Sequence, residues 1–153
     1  MSIQFDEEMM NIAIQEAQKA MQIGEVPVGA VIVKNGEIIA TGYNRRETGK
    51  NALLHAEIEA ISMACGKLGG WRLADCELFV TLEPCPMCAG AIINARIKRV
   101  VFGADDYENG AAGSVANLFE MPFSHKTFVT RGILKEQCAE LLKVFFKDLR
   151  EKI

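Results

Sequence analysis

Two short stretches, His55-Ala56-Glu57 and Pro84-Cys85-Pro86-Met87-Cys88, constrain this chain more than any other part of its sequence. They carry one histidine and two cysteines, which are borderline and soft metal ligands. Three protein ligands of this kind are typical of a catalytic zinc, which keeps its fourth position open to water, whereas a structural zinc has four protein ligands. The remaining histidine and three cysteines stand singly in the sequence, so nothing obvious closes the site. The fold must bring the two stretches together.

Glu57, two residues after the histidine, supplies what such a metal site lacks. Two thiolates cancel the charge of a zinc dication, so the ion is a weaker Lewis acid and needs a base to take the proton from its water. A carboxylate on the same turn as His55 can reach that water without binding the metal. Glu57 is therefore the candidate catalytic residue, and His55, Cys85 and Cys88 are the candidate zinc ligands.

Each stretch taken alone also has an ordinary explanation. A single C-x-x-C pair is equally typical of a redox centre or of half a structural zinc knuckle, and His-Ala-Glu suits the first turn of a surface helix. Both stretches in this order, with a proline before the first cysteine, give the pattern H-x-E followed by P-C-x-x-C. That combination is typical of the zinc deaminases of bases and nucleosides, and it favours the catalytic interpretation.

Length and composition indicate one domain over residues 1–153, long enough to bury a core. No apolar run approaches the roughly 18–20 residues of a membrane span, and the acidic N-terminus does not resemble a signal peptide. With an odd number of cysteines, these features predict a cytoplasmic protein without a membrane partner. Three cysteines are predicted to be small core residues: Cys65, Cys76 and Cys138. The net charge of −3 argues against a general nucleic-acid coat but permits a local basic face.

The hydrophobic periodicity predicts alternating helices and strands. The predicted helices span about 5–23, 55–68, 87–95 and 135–152, and the predicted strands span 26–33, 37–43, 77–82, 99–104 and 127–131. Asn35-Gly36 joins the first two strands and is a strong signal for an antiparallel hairpin. In the second helix Ile58, Ile61 and Cys65 lie on one apolar stripe, and in the last helix the residues predicted to face inward are Cys138, Leu141, Leu142, Phe145 and Leu149.

This order of elements predicts an α/β protein with three α/β/α layers and a central mixed five-stranded sheet. The cysteine pair follows a buried strand at the mouth of a short helix, whose positive end favours thiolates, so both cysteines are expected to ionise at neutral pH. A glycine-rich loop, 105–114, is expected at the same sheet edge as the metal site.

The sequence resembles the cytidine deaminase-like superfamily and, within it, the bacterial tRNA-specific adenosine deaminases, from about Met9 to Arg150. The stretches that carry the resemblance, besides the metal motif, are Glu25–Val31, Val80–Cys85, Met87–Ala91, Val100–Ala104, Gly110–Ser114, Gly132–Leu134 and Phe145–Lys147. The resemblance implies a cytidine deaminase-like fold, one Zn²⁺ per subunit and Glu57 as proton shuttle. It also implies hydrolytic deamination of adenosine to inosine at the wobble position, 34, of tRNA anticodon loops.

The same resemblance implies how the substrate binds. Asn44 matches an asparagine that hydrogen-bonds the flipped base, although an asparagine after a strand is also an ordinary turn former. The backbone around Ala56 and Pro84 is expected to line the base pocket. The partners implied are a tRNA anticodon stem-loop and a second copy of the chain, in a homodimer whose groove draws on both subunits.

Some positions depart from the family pattern, and alternatives remain open. The departures are Asn51-Ala52-Leu53-Leu54 before the histidine, Ser124 where an asparagine is expected, and Leu149 in place of an arginine. One alternative is a deaminase of a free base or nucleoside, such as guanine or cytosine, and another is a catalytically silent zinc-binding RNA module. The candidate phosphate-binding residues are Arg45, Arg46 and Lys50 before the site, and Lys143, Lys147 and Arg150 on the last helix.

Overall fold

The helices and strands follow the order predicted from the periodicity. The computed structural model describes residues 2–152, so Met1 and Ile153 of the predicted domain lie outside the described residues. The helices are α1 (Ile3–Gln22), α2 (Ala56–Leu68), α3 (Pro86–Asn94), a short 3₁₀ helix (Leu118–Glu120) and α4 (Lys135–Glu151). The strands are β1 (Gly29–Lys34), β2 (Glu37–Tyr43), β3 (Cys76–Leu82), β4 (Arg99–Ala104) and β5 (Phe128–Arg131).

The strands form one mixed sheet in the order β2-β1-β3-β4-β5. Strand β1 is antiparallel to both of its neighbours, and β3, β4 and β5 are parallel to one another. Helices α2 and α3 pack on one face of the sheet and α1 and α4 on the other, because alternate residues of each strand point to opposite sides. The predicted three-layer architecture is confirmed. Among residues 2–152, no helix combines the length and the hydropathy needed to cross a membrane.

The hairpin between β1 and β2 turns at the predicted dipeptide. Asn35 and Gly36 both have positive φ angles, 51° and 80°, as a two-residue hairpin loop requires. Strand β1 begins three residues later than predicted, at Gly29. The preceding segment cannot pair fully because Pro27 has no N–H to donate and the N–H of Val28 bonds back to the carbonyl of Val26.

Helix α2 lies unusually close to the sheet, at Gly42 of β2. A Cβ on this glycine would come within 2.4 Å of the carbonyl oxygen of Ala56 and 2.8 Å of the nitrogen of Ala60. At such a distance only small side chains fit between helix and sheet, and the fully buried stripe is Ala56, Ala60 and Ala64. The predicted stripe of Ile58, Ile61 and Cys65 is half-buried, and Ile61 and Cys65 pack against the core cluster beside the alanines.

Helix α4 is held to the sheet mainly through its N-terminal part. Cys138 is buried against Gly103 of β4, and Ala139 packs beside it. Three more of the predicted inward residues, Leu141, Leu142 and Phe145, are half-buried. Leu149 is 48% exposed, so its predicted burial is wrong, because the helix has by then left the apolar cluster on the sheet. Of the other two cysteines predicted in the core, Cys76 is buried and Cys65 is half-buried.

Candidate active site

The three candidate metal ligands lie together at the N-terminal ends of two helices. His55 precedes α2, Cys85 precedes α3, and Cys88 lies in the first turn of α3. The Nδ1 atom of His55 is 3.7 Å from Sγ of Cys85 and 3.6 Å from Sγ of Cys88. All three ligand atoms are within 4.8 Å of one another.

These distances fit a tetrahedral zinc ion. Bonds of about 2.3 Å to sulfur and about 2.0–2.1 Å to nitrogen, at tetrahedral angles, place the nitrogen and sulfur atoms about 3.6 Å apart. The set of one imidazole and two thiolates also has the softness that zinc prefers. The group contains three protein ligands, as a catalytic zinc site requires.

The three side chains also interact through hydrogen bonds. Bonds from the Cys88 thiol and from His55 lower the pKa of Cys85 to about 4, although burial opposes the shift. The bond to Cys85 and burial raise the pKa of Cys88. A zinc ion would displace the proton of Cys88 on binding.

Glu57 lies in the first turn of α2, beside the metal ligands, and is 4% exposed. The pKa of Glu57 is raised to about 7, mainly by burial; the charge of Cys85 acts in the same direction, whereas a backbone hydrogen bond and His55 oppose the shift. The carboxyl group is also within hydrogen-bonding reach of the Cys88 thiol. A pKa near neutrality suits a side chain that must both accept and return a proton during one reaction.

A cavity of about 570 Å³ leads from these residues to the surface. This volume lies within the range that holds a small ligand or a single nucleotide. Its floor is formed by His55, Glu57 and Cys85, and the apolar part of its wall by Val26, Val28, Leu82, Leu142 and Phe146. Three exposed polar residues surround its mouth: Arg46, Glu108 and Asn109. The residues at the floor are buried or half-buried, whereas those named at the mouth are polar and exposed.

The predicted substrate-binding residues lie at different depths. Asn44 lines the cavity and is 8% exposed. Its Nδ2 donates to the carbonyl of Val26 and its Oδ1 accepts from the N–H of Arg46, both at 3.2 Å. The amide therefore stabilises the turn and still has one N–H and one lone pair to offer. Ala56 also lines the cavity. Pro84 is buried, and its carbonyl accepts from the N–H of Ala111 at 2.8 Å.

The loop 44–51, on one side of the mouth, is held by a buried glutamate. Glu25 is 1% exposed, and its carboxylate accepts from the N–H of Glu47 at 3.2 Å and of Thr48 at 2.6 Å. Arg45 turns away to form a bidentate ion pair with Glu59 on α2. Among residues 2–152 the guanidinium of Arg46 forms no ion pair, so it is the arginine of this loop that remains available at the mouth.

The loop 105–114, on the other side, surrounds a second buried glutamate. Glu83 is 2% exposed and accepts hydrogen bonds from backbone N–H groups of this loop. No pattern in the sequence singles out Glu83, because the loop residues that it holds lie more than twenty positions further along the chain.

Of the basic residues predicted to bind phosphate, Arg46 lines the cavity. Helix α4 contributes Leu142 and Phe146 to the lining. Lys143 and Lys147 follow these two residues in the sequence and are exposed. Sequence reasoning placed Leu142 in the core and did not identify it, or Phe146, as part of a pocket.

Known proteins resemble this chain over most of its length. Residues 3–104 match the cytidine and deoxycytidylate deaminase zinc-binding region. The tRNA-specific adenosine deaminase of Bacillus subtilis is 51% identical over 148 residues, which is 96% of this chain and 92% of that protein. The tRNA-specific adenosine deaminase of Streptococcus pyogenes serotype M18 is 45% identical over 94% of this chain and 91% of that protein.

Solved structures share the fold. A structure from a study of A-to-I editing by tRNA:A34 deaminases at the wobble position superposes with a TM-score of 0.86 at 43% identity. The superposition covers 88% of this chain and 99% of the chain in that structure. A guanine deaminase from Nitrosomonas europaea superposes with a TM-score of 0.81 at 28% identity, covering 91% of this chain and 83% of its own. The same architecture therefore serves both an RNA editor and a deaminase of a free base.

Proposed function

The chain belongs to the zinc-binding cytidine and deoxycytidylate deaminase family and, within it, to the tRNA-specific adenosine deaminases; from this premise we propose that it deaminates adenosine 34 of a tRNA anticodon loop to inosine. The observation that carries the proposal is the 51% identity to such an enzyme over 96% of the chain. The buried Glu57 beside three zinc ligands, at the floor of an open cavity, supplies the chemistry. Residues 1–153 form a single deaminase domain in this proposal.

His55, Cys85 and Cys88 would hold one Zn²⁺ per subunit. When bound, zinc lowers the pKa of a water molecule in its open position and makes it a nucleophile at neutral pH. The donor atoms are already at the spacing that zinc requires, so binding needs the loss of shared protons and little movement of side chains.

Glu57 moves the protons of the reaction. Its carboxylate accepts a proton from the attacking water and delivers it to N1 of adenine, while the water oxygen bonds to C6. It then carries the second water proton to the amino group, and the C6–N6 bond breaks to release ammonia. The products, inosine and ammonia, balance adenosine and water. General acid–base catalysis of this kind contributes roughly 10² to 10⁴ in rate.

The base would be held by the walls of the cavity. Asn44 offers the N–H and the lone pair that its turn contacts leave free, and the backbone at Ala56 borders the same space. Val26 and Val28 supply apolar surface for the faces of the ring. Pro84 contributes indirectly, because its carbonyl holds Ala111 in the loop 105–114.

The RNA flanking the base would meet the basic residues around the mouth. Arg46 and Lys50 lie on one side, and Lys143, Lys147 and Arg150 lie on α4. All five are exposed, as contacts to a phosphate backbone require. A base in a loop must leave its stack to reach a buried zinc site, and cations beside the pocket stabilise the backbone in that flipped arrangement.

The second partner in this proposal is another copy of the chain. The outer faces of α2 and α3 border an apolar groove lined by Ile61, Cys65, Trp71 and Ala91. Trp71 is 48% exposed there, and Met63 of α2 is 47% exposed. A homodimer would cover this surface, and sedimentation velocity measures whether one forms. The tRNA substrate and five free cysteines fit a cytoplasmic enzyme.

The test is inosine formation on an anticodon stem-loop that carries adenosine at the wobble position. The same preparation is incubated with free guanine, cytosine, adenosine and cytidine, and ammonia release is measured. The proposal predicts conversion of the stem-loop alone, with loss of activity in Glu57→Gln. A second stem-loop with adenosine moved one position away serves as the matched control substrate.

The alternative is a deaminase of a free base, which the superposition on a guanine deaminase favours. Ammonia release from a free base, with an unreacted stem-loop, would establish that alternative and reject the RNA substrate. Stem-loop binding without any product would indicate a catalytically silent RNA-binding protein.

A further inference from the structure

We propose that Glu83 is a positioning residue for substrate recognition: its carboxylate sets the shape of the loop 105–114, and thereby the distance between the metal centre and the cavity wall that meets the nucleotide. The inference rests on the proposed function for the identity of the substrate, an extruded nucleotide of an RNA loop. Glu83 takes no part in the proton transfers assigned to Glu57.

All the acceptor capacity of the Glu83 carboxylate is used within this one loop. Oε1 accepts from the N–H of Asp106 at 3.0 Å and from the hydroxyl of Ser114. Oε2 accepts from the N–H of Ala112 and the N–H of Ser114, both at 3.0 Å. A carboxylate offers about four acceptor positions, so these four donors saturate it. Among residues 2–152 no lysine or arginine forms an ion pair with Glu83, and the negative charge is stabilised by loop dipoles alone.

The loop fits tightly around this carboxylate. A Cβ on Gly110 would lie 2.4 Å from the carboxyl carbon of Glu83 and 2.4 Å from the carbonyl oxygen of Asp106. No side chain larger than hydrogen fits at this point. The backbone of the loop 105–114 therefore wraps closely around the Glu83 carboxylate, and its conformation depends on the hydrogen bonds to that carboxylate.

Both Glu83 and the loop border the substrate cavity. Asp106, Glu108 and Asn109 line the cavity, and the side chain of Asp106 accepts from the N–H groups of both other residues at 3.1 Å. The N–H of Asp106 is itself one of the four donors to Glu83. Movement of the Glu83 carboxylate would consequently move the three residues that form this wall.

Glu83 is also fixed relative to the metal centre. Its own N–H donates to the carbonyl of Ala104 at the end of β4, at 2.8 Å. The next residue, Pro84, bonds through its carbonyl to Ala111 of the loop, and Cys85 follows as a metal ligand. Glu83, Pro84 and Cys85 thus connect the sheet, the loop 105–114 and the proposed metal site. Among these three residues, Glu83 accepts hydrogen bonds from the loop through its side chain.

The test compares Glu83→Gln, Glu83→Asp and the control Glu37→Gln, an exposed glutamate in the hairpin. Glutamine has two acceptor positions and turns an NH₂ group toward two loop donors, whereas aspartate keeps four acceptors on a shorter arm. For Glu83→Gln we expect KM for the stem-loop to rise about tenfold or more, with kcat within about threefold of wild type and unchanged zinc content. Glu83→Asp should recover part of the loss, and Glu37→Gln should match wild type.

Hydrogen exchange gives a readout that does not depend on activity. In Glu83→Gln the amides of Asp106, Ala112 and Ser114 should exchange at least about tenfold faster, while the amides of β1 keep their protection. A fall in kcat at unchanged KM, or a loss of activity in proportion to lost zinc or lost folded protein, would overturn the proposal. So would unchanged KM together with unchanged exchange.

The outcome for wild type separates this inference from the proposed function. If wild type does not convert the stem-loop but releases ammonia from a free base, the RNA substrate is rejected. The same KM and kcat comparison on that base then tests Glu83. If wild type is inactive on every substrate, hydrogen exchange still tests the role of Glu83. Faster exchange of the Asp106, Ala112 and Ser114 amides in Glu83→Gln would support it, and unchanged exchange would reject it.

Discussion

The floor and the mouth of the cavity are built in different ways. On the floor, His55, Glu57 and Cys85 are placed by the first turns of two helices that pack on the same face of the sheet. At the mouth, Arg46, Glu108 and Asn109 are exposed and lie on two loops. Each of these loops is folded over a buried glutamate, Glu25 or Glu83. The groups proposed to react are thus held by helices. The groups proposed to recognise the substrate are held by two loops, whose backbone N–H groups bond to the buried carboxylates of Glu25 and Glu83.

Because of this difference, substitutions at the floor and at the mouth of the cavity are expected to have different effects. Displacement of the floor alters the geometry of the reaction, because the ligand atoms must remain within bonding distance of one metal. Replacement of Arg46, Glu108 or Asn109 removes one contact and leaves the loop backbone in place, because the amides of these residues bond to Asn44 or Asp106 and not to the replaced side chain. We therefore expect large effects on turnover from the floor and moderate effects on substrate affinity from the mouth.

The largest effect is expected for Glu57→Gln on the floor. Glutamine preserves the size of the side chain but cannot accept and return a proton, so turnover should fall by roughly 10² to 10⁴. Zinc content should match wild type, since Glu57 is not one of the three ligands. Single-turnover inosine formation and metal analysis measure the two quantities. Glu136→Gln, in the first turn of α4, is the matched control, and an empty zinc site in Glu57→Gln would instead make Glu57 a structural residue.

Gly42→Ala tests whether packing of α2 on the sheet positions the floor. The added methyl group collides with the backbone of Ala56 and Ala60, next to the metal ligand His55. The free energy of unfolding should fall by about 1–3 kcal/mol, and zinc affinity should fall with it. Gly66→Ala is the control, because a Cβ there meets nothing within 4 Å and alanine favours a helix. Equal stability of the two variants in denaturant titrations would contradict this prediction.

Arg46→Ala tests the mouth. Loss of one cation beside the flipped base should raise KM for the stem-loop severalfold, with kcat unchanged. The plot of log affinity against log salt concentration should become shallower by about one unit, as expected for one lost phosphate contact. Lys67→Ala, an exposed cation at the far end of α2, should change neither quantity. An unchanged salt dependence in Arg46→Ala would show that this guanidinium does not meet a phosphate.

The smallest expected effect is a pH-dependent change in stability caused by Glu25, the buried glutamate that holds the loop 44–51. Burial by itself would raise the pKa of Glu25, but N–H donors from Thr48 and Glu47 outweigh it and leave the pKa below its ordinary value of 4.5. A group with a lowered pKa in the folded state stabilises the fold above pH 4.5 and loses that contribution as the pH falls through its folded value. Below pH 4.5, wild type should therefore lose stability more steeply than Glu25→Gln. Parallel curves from urea titrations at several pH values would refute this.

The sequence revealed the grouping of residues on the floor better than that at the mouth. His55, Glu57, Cys85 and Cys88 were singled out by their short spacing in two segments, and the structure brings His55, Cys85 and Cys88 together with Glu57 beside them. The role proposed for Glu83 depends on a loop that begins more than twenty residues later, so no local pattern reveals it. Phe146 illustrates the same limit, because periodicity shows that a helix has an apolar face but not that part of this face borders a cavity. The periodicity of α2 did not show that its alanines form the fully buried face, because Gly42, on another element, decides how closely the helix approaches the sheet.

The arrangement of the metal ligands also has a consequence for how the chain folds. His55 and Cys85 are 30 residues apart, and they meet only after β1 has paired with β3, for example Ala30 with Val80. Pairing of strands that are far apart in the sequence, such as β1 and β3, is slow compared with forming the helices that carry the ligands. The unfolded chain therefore holds no ready-made chelate beyond the two neighbouring cysteines. Release of bound metal during unfolding should follow the same time course as the loss of the central strands.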